Sequence, residues 1–547
     1  MTWGIIIAIV LVLFIFTLLT LGDGLLKVTA SQAGEDTSGY SVLPTSLQEL
    51  LGLGKKKGEY VPDDAPVKRL KRGFDVNLAG GPSLGQAGIR ELRSATYALK
   101  PKDLIGMSPI PKVMPELGAT VKAGEPLFYD KKHPEIIYAA PVSGEFIELR
   151  RGEKRSINEL VILADQGEMQ YHKHEDVPNL ETASRADLVD FLTASGAWPF
   201  LRQRPFDIVA DPSMTPKSIF VSTFDTAPWA TDANFSVAGK EAAFRKGLAA
   251  LAMLSGTKVH LGVNGMAQER PSDAFLKADE VEGVELHYFQ GQHPAGNVGV
   301  HIHHVDPVLP NGQVVWHTDV HGVLLIGQLL LEGIFDTSKV IAVGGAELPA
   351  EEGYYARVHQ GIHIAALLEG MADDMTTEKA YVRNAEGQKE EKMVEVRSIR
   401  IVSGDLLSGK QVERESFLGF YDDQLSVVKE GNYYELFGWL VPQAGHPTRS
   451  RTFPGGFFPG THYVPDTNTN GEKRAFVMTG EYESVLPMNI YPQHVMRAIL
   501  AKDFEKMEGL GLLELGEEDI ALCEYVCTSK QPLQAILREG LEELRAQ

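Results

Sequence analysis

Seven histidines lie between residues 287 and 321, and imidazole is the side chain best suited to proton transfer and metal binding near neutral pH. They are His287, His293, His301, His303, His304, His317 and His321. The alternation of His301 and His303 predicts two imidazoles on one face of a strand, a geometry that zinc can use, with Asp306 nearby. A third ligand at convincing spacing is missing, and the sequence has neither an H-E-x-x-H motif nor a C-x-x-C pair. We therefore predict no metal site.

The segment that begins at His293 has the composition of a loop that receives a ligand. Its glycines and proline are typical of a loop that opens a helix or a strand and accepts a polar head group. No G-x-S-x-G, phosphate-loop or kinase motif occurs, and no catalytic acid, base or nucleophile is named in this chain. The predicted role is binding of a ligand or partner, and the residues proposed for it are His293, Pro294, Gly296, His301 and His303.

The chain contains two cysteines, Cys523 and Cys527. Two thiols exclude a disulfide scaffold, and they are too few for a self-contained iron–sulfur cluster, which usually needs four cysteine ligands. Their spacing places both on one face of a helix. We expect two buried or free thiols in a reducing compartment, and the alternative is a metal completed by outside ligands.

Composition sets the broad class. The 547 residues are 44% apolar and 23% charged, which is typical of a globular protein of several domains. The net charge of -21 argues against non-specific binding of nucleic acid, which requires a basic face.

The first part of the chain carries an uncharged apolar run from Trp3 to Leu21, nearly long enough to span a bilayer core. One interpretation is a cleaved signal peptide with a cleavage site at Val28–Ala30. A permanent anchor is favoured, because no lysine or arginine precedes the run and several follow it. The positive-inside rule then places the bulk of the chain in the cytoplasm. The Gly-, Ser- and Pro-rich segment that follows predicts a flexible tether.

Residues 68–165 are predicted to form strands and turns. Gly turns near 118–124 and 140–144, each next to a short alternating strand, predict a flattened β-sandwich that resembles biotinyl and lipoyl carrier domains. The tripeptide Asp130-Lys131-Lys132 looks like a lipoyl attachment site. We expect these lysines to be unmodified, because they lie too close to Leu127 and the hairpin tip is predicted at 133–135.

Strand, helix and strand patterns follow one another at 218–222, 240–254 and 258–263, which predicts a parallel α/β layer. Ligands of such sheets bind outside the carboxyl ends of the strands. That rule adds Phe224 and Asp225 to the predicted binding residues.

Two further regions complete the pattern. Residues 340–410 show short strands around one helix, a small α+β unit similar to the β-grasp domain that follows the flavin domain in the large NADH-binding protein of respiratory complex I. Residues 480–547 have apolar residues at three- and four-residue spacing, which predicts helices.

Several stretches, in this order, resemble the A-subunit family of sodium-translocating NADH:quinone oxidoreductases. They are KRGFDVNLAG at 71, the sandwich motif at 118–152, LRQRPFDIV at 201, QHPAGNVGVHIHHVDPV at 292, RIVSGDLLSG at 400, ELFGW at 435 and EEDIALCEYVCTSK at 517. The resemblance runs from about residue 68 to the C-terminus, so the N-terminal anchor is a departure from the family.

The family resembles in turn the flavin-binding subunit of complex I and the C subunit of Rnf electron-transfer complexes. In those proteins, a glycine-rich loop lets the backbone approach the flavin phosphate. Here the corresponding segment is SGAWPFLRQRPF at 195, with Trp198, Phe200 and Leu201 in place of small residues. The resemblance therefore implies a retained scaffold with a filled flavin cradle.

Together these inferences predict a multidomain α/β and α+β fold. Its parts are a transmembrane helix, a biotinyl/lipoyl-like β-sandwich, a Rossmann-like relative of the flavin domain, a β-grasp (SLBB-like) domain and a C-terminal helical region. The predicted boundaries are 1–22 for the anchor, 23–66 for the tether, 67–170 for the sandwich, 171–338 for the Rossmann-like domain, 339–412 for the β-grasp domain and 413–547 for the mixed, then helical, C-terminal domain.

By resemblance, the complex transfers electrons from NADH to ubiquinone or menaquinone and exports Na⁺ across the bacterial inner membrane. The resemblance assigns FMN, FAD, riboflavin and iron–sulfur centres to the partner proteins, the B to F subunits, and no cofactor to this chain. The binding residues above would then contact quinone or one of these partners. Two alternatives are a structural scaffold without a ligand and a membrane-anchored flavin NADH dehydrogenase that acts alone. An exported periplasmic protein is a third.

Overall fold

The computed structural model of this chain describes residues 58–267, 269–310, 312–349, 353–371, 375–383, 389–431, 433 and 462–547. The predicted anchor, the predicted tether up to residue 57 and the ELFGW stretch lie outside the described residues. No helix within the described ranges is long and apolar enough to cross a membrane.

Strands occupy much of the described chain up to Lys429. They are β1 (Val67–Arg69), β2 (Pro82–Ser83), β3 (Arg90–Glu91), β4 (Thr96–Leu99), β5 (Lys112–Val113), β6 (Thr120–Val121), β7 (Pro126–Asp130), β8 (His133–Ala139), β9 (Gly144–Arg151), β10 (Ile157–Ala164), β11 (Arg202–Arg204), β12 (Ile208–Val209), β13 (Ile219–Ser222), β14 (Val259–Asn264), β15 (Val284–Gln290), β16 (Val315–Thr318), β17 (Ser338–Gly344), β18 (Gly353–His359), β19 (Met375–Arg383), β20 (Lys389–Arg397), β21 (Ile399–Ser403), β22 (Lys410–Val412) and β23 (Gln424–Lys429).

Helices alternate with the middle strands and then dominate the C-terminal part. They are α1 (Arg185–Ala194), α2 (Ala233–Val237), α3 (Glu241–Ser255), α4 (Asp273–Leu276), α5 (Val298–Val305), α6 (Val320–Glu332), α7 (Ile364–Leu367), α8 (Glu481–Val485), α9 (Pro492–Leu500), α10 (Phe504–Gly509), α11 (Glu517–Tyr525) and α12 (Leu533–Arg545).

The described residues divide into two units, of which the smaller contains residues 58–64 together with Gly265–Arg270. Within that unit, the amide of Gly58 donates to the carbonyl of Gly265 at 2.9 Å, and the amide of Ala267 donates to the hydroxyl of Tyr60 at 2.9 Å. All elements listed above belong to the larger unit, Ala65–Asn264 with Pro271–Gln547.

Two antiparallel sheets, ordered β4-β10-β9-β6 and β5-β7-β8, form the first part of the larger unit. Phe128 and Tyr138 stack between strands of the second sheet, with ring centroids 4.7 Å apart, and both are buried. The prediction of strands and turns over residues 68–165 is confirmed.

The predicted position of the β7–β8 hairpin tip is wrong. The turn falls at Lys131 and Lys132, and His133 is already paired with Asp130. The Asp130 carboxylate accepts hydrogen bonds from the amides of Ser108 and Lys132, both at 3.1 Å. These bonds end strand β7 at Asp130, so the turn comes before the predicted tip at 133–135. These hydrogen bonds help to hold the pKa of Asp130 below its ordinary value, although burial alone raises it.

A mixed sheet ordered β1-β15-β14-β13-β16-β11-β12 forms the centre of the larger unit. The strands β15, β14, β13 and β16 pair in parallel. Nearly all residues of β13, β14 and β16 are buried, as expected for strands covered on both faces, whereas Glu285 and His287 of β15 are partly exposed. The predicted strands and the helix at 240–254 are confirmed as β13, α3 and β14. Strand order reverses between β13 and β16, so the carboxyl ends of these two strands flank a topological switch point.

Capping residues define where the flanking helices begin. Ser184 and Asp187 form a capping box before α1, with the amide of Ser184 donating to the Asp187 carboxylate at 2.8 Å. Asp319 begins α6 by accepting the amide of Gly322 at 2.6 Å. The second cap places a carboxylate at the carboxyl end of β16.

A second mixed sheet, ordered β2-β18-β17-β23-β21-β22 with β3 also paired to β18, follows in the chain, and β19 and β20 form a hairpin. The helices α8 to α12 then bury a common apolar core that includes Val495, Leu522 and Leu537. The prediction of helices over residues 480–547 is confirmed.

Candidate functional site

The two loops predicted to bind a ligand meet at the carboxyl edge of the central sheet. One follows β13 and carries Phe224 and Asp225, and the other follows β15 and carries His293 to Gly296. The Ser222 hydroxyl lies 2.8 Å from the carbonyl oxygens of both Phe224 and Gly296. A Cβ on Gly296 would lie 2.8 Å from Asp225 Cα, so glycine is required for this approach. The structure therefore brings Phe224, Asp225, His293, Pro294 and Gly296 together.

His293 holds the second loop in place from within. Its side chain is buried, its Nδ1 lies 3.1 Å from the Thr226 hydroxyl, and its amide donates to the Asp75 carboxylate at 2.8 Å. The Thr226 hydroxyl accepts the amide of Gly296 at 3.0 Å. Burial lowers the pKa of His293, so the ring fixes the loop as a neutral group rather than presenting a charge to solvent.

His301 lies beneath the loops and is almost completely buried. Its ring stacks on Phe289 with centroids 3.9 Å apart, and its Nε2 donates to the Ala295 carbonyl at 2.9 Å. Its Nδ1 faces Gly262, where a Cβ would collide with the ring. Burial lowers the pKa of His301 to about 3, so the ring is neutral at physiological pH.

The prediction that His301 and His303 share a strand face is wrong, because both lie on helix α5. Residues two apart on a helix point to different sides. The apolar residues Val298, Ile302 and Val305 follow the helical period, and this period overrides the local alternation of the histidines. His303 instead lies in the C-terminal part of the helix.

His303 fixes the helical C-terminal region and does not join the loop cluster. Its Nδ1 lies 2.8 Å from the Glu514 carboxylate, and its Nε2 accepts the amide of Asn489 at 2.9 Å. Within the loop cluster, Phe224 is partly exposed and Asp225 is exposed, whereas His293, Pro294 and Gly296 are buried.

A cavity of about 60 Å³ lies at the carboxyl end of β16. Typical sites for small molecules occupy roughly 300–1,000 Å³, so this cavity is smaller than a typical small-molecule site. The Arg202 guanidinium stands 4.8 Å from the ring centroid of Tyr421, whose hydroxyl donates to the Pro199 carbonyl at 2.8 Å. The lining residues are Phe200, Arg202, His317, Thr318, Asp319 and Tyr421.

Behind the cavity lies a buried ionic network that sequence reasoning missed. Arg204 is fully buried, and its Nη2 lies 3.2 Å from Glu518 and 3.5 Å from Asp519. Asp207 accepts Nε2–H of His317 at 2.9 Å. Burial alone raises the pKa of Asp207, but the arginines hold it well below its ordinary value. Burial also lowers the pKa of His317 to about 4, which leaves that ring neutral.

This network joins two of the stretches that carry the family resemblance, LRQRPFDIV and EEDIALCEYVCTSK. The first supplies Arg204 and Asp207, and the second supplies Glu518 and Asp519. The sequence did carry one sign of this pairing: arginines stand among apolar residues in the first stretch, and carboxylates stand among apolar residues in the second. Their separation by more than 300 residues concealed the pairing.

The segment at 195–206, which by resemblance corresponds to a flavin loop, has no open cradle for a phosphate. Trp198 and Phe200 are buried, and the Trp198 indole donates to the Ala210 carbonyl at 2.7 Å while packing edge-on to Trp316. Gly196 has φ +84 and packs so closely on the sandwich that its Cβ would lie 2.5 Å from the Ala139 Cβ. The glycine therefore serves packing, and indole and phenyl rings fill the space next to it.

The two cysteines lie within the C-terminal helical core. Cys523 is in α11 and Cys527 follows the end of that helix, so the prediction that one helix face carries both is wrong, because the helix ends at Tyr525. Both cysteines are buried. Cys527 Sγ lies 2.8 Å from the Tyr482 hydroxyl and accepts the amide of Gln531 at 3.4 Å. Both thiols are thus engaged in packing between helices, as the plainer of the two sequence interpretations expects.

Two family models match this chain. The model described as the NqrA N-terminal barrel-sandwich hybrid domain matches residues 68–165, and the model described as the NqrA second alpha/beta domain matches residues 183–335. The predicted sandwich at the start of the folded part is therefore confirmed.

Curated relatives match over nearly their whole length. The A subunit of the Na(+)-translocating NADH-quinone reductase of Serratia proteamaculans is 34% identical over 87% of this chain and 99% of its own length. The A subunit of Rhodopirellula baltica is 34% identical over 87% and 97%, and that of Neisseria meningitidis is 33% identical over 87% and 99%. Among solved structures, an NAD⁺-reducing NiFe-hydrogenase aligns at 13% identity and a TM-score of 0.32, over 69% of this chain and 67% of that chain.

Proposed function

This chain belongs to the A-subunit family of Na⁺-translocating NADH-quinone reductases, and we propose that it helps that complex to bind its quinone. The complex transfers electrons from NADH to ubiquinone or menaquinone and couples the transfer to Na⁺ export. The chain acts as a binding and stabilising component, with the electron-transfer chemistry in its partners, the B to F subunits.

The observation that carries the quinone proposal is the meeting of two loops at the carboxyl edge of the central sheet, one of which follows β13 beside the switch point. Phe224 offers a partly exposed ring and Asp225 an exposed carboxylate at this edge, next to the backbone of Gly296. An aromatic face and a few polar groups suit a flat ring with two carbonyl oxygens. His293, Pro294 and His301 support the loops from beneath, and His303 anchors the C-terminal helices.

We further propose that the chain carries no flavin. Support comes from the buried Trp198 and Phe200, which lie in the segment that by resemblance corresponds to the glycine-rich loop of the flavin-binding subunit of complex I, and from the contact of Gly196 with Ala139. The central sheet is proposed to be a Rossmann-like relative of a flavin domain, and the sheet around β17 and β18 a β-grasp (SLBB-like) unit. FMN, FAD, riboflavin and iron–sulfur centres reside in the partner proteins.

The apolar run from Trp3 to Leu21 is proposed to hold the chain to the inner membrane with its bulk in the cytoplasm. An alkaline-phosphatase fusion after residue 60 tests the orientation, because the phosphatase is active only when it is exported. An inactive fusion supports the cytoplasmic placement, and an active one contradicts it.

The experiment that tests the quinone role uses the whole complex purified from its native membrane. Phe224→Ala is compared with Phe504→Ala, which alters a partly exposed phenylalanine on α10. We expect Phe224→Ala to raise the KM for quinone and to reduce labelling of this chain by a photoreactive quinone analogue. NADH oxidation by an artificial electron acceptor should stay unchanged, because that reaction does not use the quinone.

Two outcomes contradict the proposal. An unchanged KM for quinone in the Phe224→Ala complex, together with loss of assembly when the whole chain is deleted, would make the chain a structural scaffold. A yellow chain that oxidises NADH on its own, once separated from its partners, would make it a flavin dehydrogenase.

A further inference from the structure

A cluster of two imidazoles and a carboxylate lies on the central sheet, apart from the loops described above. It consists of His260 on β14 with Glu285 and His287 on β15. Their candidate ligand atoms all lie within 4.8 Å of one another. From this geometry we propose that the three side chains bind a divalent transition-metal ion of the Zn²⁺ class.

The strand pairing explains why the three side chains converge. In the parallel ladder, His260 lies opposite Glu285, and Gly262 lies opposite His287. Glu285 and His287 are two residues apart on one strand and therefore point to the same face. The two imidazole rings reach each other along the diagonal, with centroids 5.0 Å apart. Ligands carried by paired strands have little freedom to separate, which favours a preformed site.

The distances suit a zinc ion after a small adjustment. His260 Nδ1 lies 2.9 Å from His287 Nε2 and 3.7 Å from Glu285 Oε2. Zinc–nitrogen bonds of about 2.0–2.1 Å in a tetrahedral site place two ligand nitrogens roughly 3.3 Å apart. Rotation of the partly exposed His287 ring supplies the difference, because His260 is the more deeply buried partner.

The surroundings orient the ligands and leave access for a metal. Lys258 forms an ion pair with Glu285 Oε1, which leaves Oε2 turned toward the histidines. The Phe220 ring packs 4.8 Å from the His260 ring and fixes its plane. The Glu285 side chain is 41% exposed, so an ion can enter from solvent and keep water as a fourth ligand.

The chemical class follows from the donor set. Two imidazole nitrogens and one carboxylate oxygen suit zinc and related first-row dications, whereas calcium and magnesium prefer oxygen ligands alone. The positive charge of Lys258 beside Glu285 opposes the cation. Removal of this lysine should therefore strengthen binding, while removal of a ligand should weaken it.

Co²⁺ is the probe for the test, because its visible absorption reports coordination geometry. The full chain is treated with a chelator and titrated with Co²⁺, and then with Zn²⁺ by calorimetry. Four variants are compared with the unaltered chain: His287→Gln, Glu285→Gln, Lys258→Ala and the control His494→Gln, which alters an exposed histidine outside the cluster. Circular dichroism checks that each variant is folded.

We expect Co²⁺ bands of a four-coordinate nitrogen–oxygen site in the unaltered chain, displaced by Zn²⁺. His287→Gln and Glu285→Gln should weaken binding by more than roughly tenfold, since even outer-shell contacts are worth about 10–100-fold. Lys258→Ala should bind more tightly, and the control should bind as the unaltered chain does.

Either of two results overturns the proposal. The first is a chain that takes up no Co²⁺ or Zn²⁺ at this cluster, which would leave the close approach of His260 and His287 as a hydrogen bond between neutral rings. The second is binding that is equally strong in the folded His287→Gln and Glu285→Gln variants, which would place the metal elsewhere.

Discussion

Gly296 lies so close to Asp225 that a Cβ on the glycine would stand 2.8 Å from the aspartate Cα and the same distance from the Phe224 carbonyl oxygen. The loops after β13 and β15 are thereby joined into one surface at the carboxyl edge of the central sheet. The positions of the accessible residues Phe224 and Asp225 depend on this contact between the two backbones. Any residue larger than glycine at position 296 would place a Cβ in the contact.

Gly296→Ala should separate the two loops. Overpacking of this kind costs about 1–3 kcal/mol, and we expect a lower thermal unfolding midpoint and a higher KM for quinone in the assembled complex. Gly167→Ala is the matched control, because a Cβ at Gly167 meets no described atom within 4 Å. An unchanged unfolding midpoint in Gly296→Ala would mean that the loops are not in contact.

Arg204→Met should destabilise the protein strongly. The substitution leaves Asp519 buried without its cationic partner, and loss of one partner of a buried pair costs about 3–5 kcal/mol. Arg245→Met is the control, since Arg245 and Glu280 form a pair whose side chains are 46% and 55% exposed. Such surface pairs are worth about 0–1 kcal/mol. Similar unfolding midpoints for the two variants would contradict the buried network.

His301 should make the folded protein sensitive to acid. Burial lowers its pKa to about 3, whereas an unfolded histidine titrates near pH 6.5. Between these values the unfolded chain binds a proton that the native chain does not, so stability falls as pH falls through this window. From pH 7 to pH 5 this single residue removes about 2 kcal/mol of the free energy of unfolding.

The variant His301→Leu tests this expectation. It loses the hydrogen bond to Ala295 and is less stable at pH 7, so the quantity to compare is the change between pH 7 and pH 5. Urea unfolding at both values should show a smaller acid-induced loss in the variant than in the unaltered chain. An equal loss in both proteins would show that His301 takes up its proton in the native state.

Local patterns in the sequence predicted the elements well but could not predict their distant partners. The apolar runs of β13 and β14 and the helical period of α3 are readable because the residues that define them are neighbours in the chain. In contrast, Val67–Arg69 pairs with β15, and the strands β2 and β3 pair with β18. Strands of two or three residues carry no signal that selects a partner.

In the candidate site, too, features set by neighbouring residues were predictable and features set by distant partners were not. The position of Phe224 and Asp225 at the carboxyl edge of the sheet was predictable, because they directly follow the apolar strand β13, and their binding role stays a prediction. The sequence pattern predicts a strand for His301, because His301 and His303 are two residues apart, as on one strand face. The helical spacing of Val298, Ile302 and Val305 indicates the helix that the structure shows. The His260 and His287 pair depends on strand register, which a single sequence does not reveal.

Gly196 and Ala139 offer a final test, of the filled loop beside the sandwich. Gly196→Ala should destabilise the protein for two reasons: its φ of +84 strains any other residue by about 1–2 kcal/mol, and its Cβ would press on Ala139. In the Ala139→Gly background the second cost disappears and the first remains. Urea unfolding of the four proteins should therefore give a smaller penalty for Gly196→Ala when Ala139 is already glycine. If Gly196→Ala lowers the free energy of unfolding equally with alanine and with glycine at position 139, then the loop does not pack on the sandwich. The proposal that aromatic side chains fill the flavin cradle would then be contradicted.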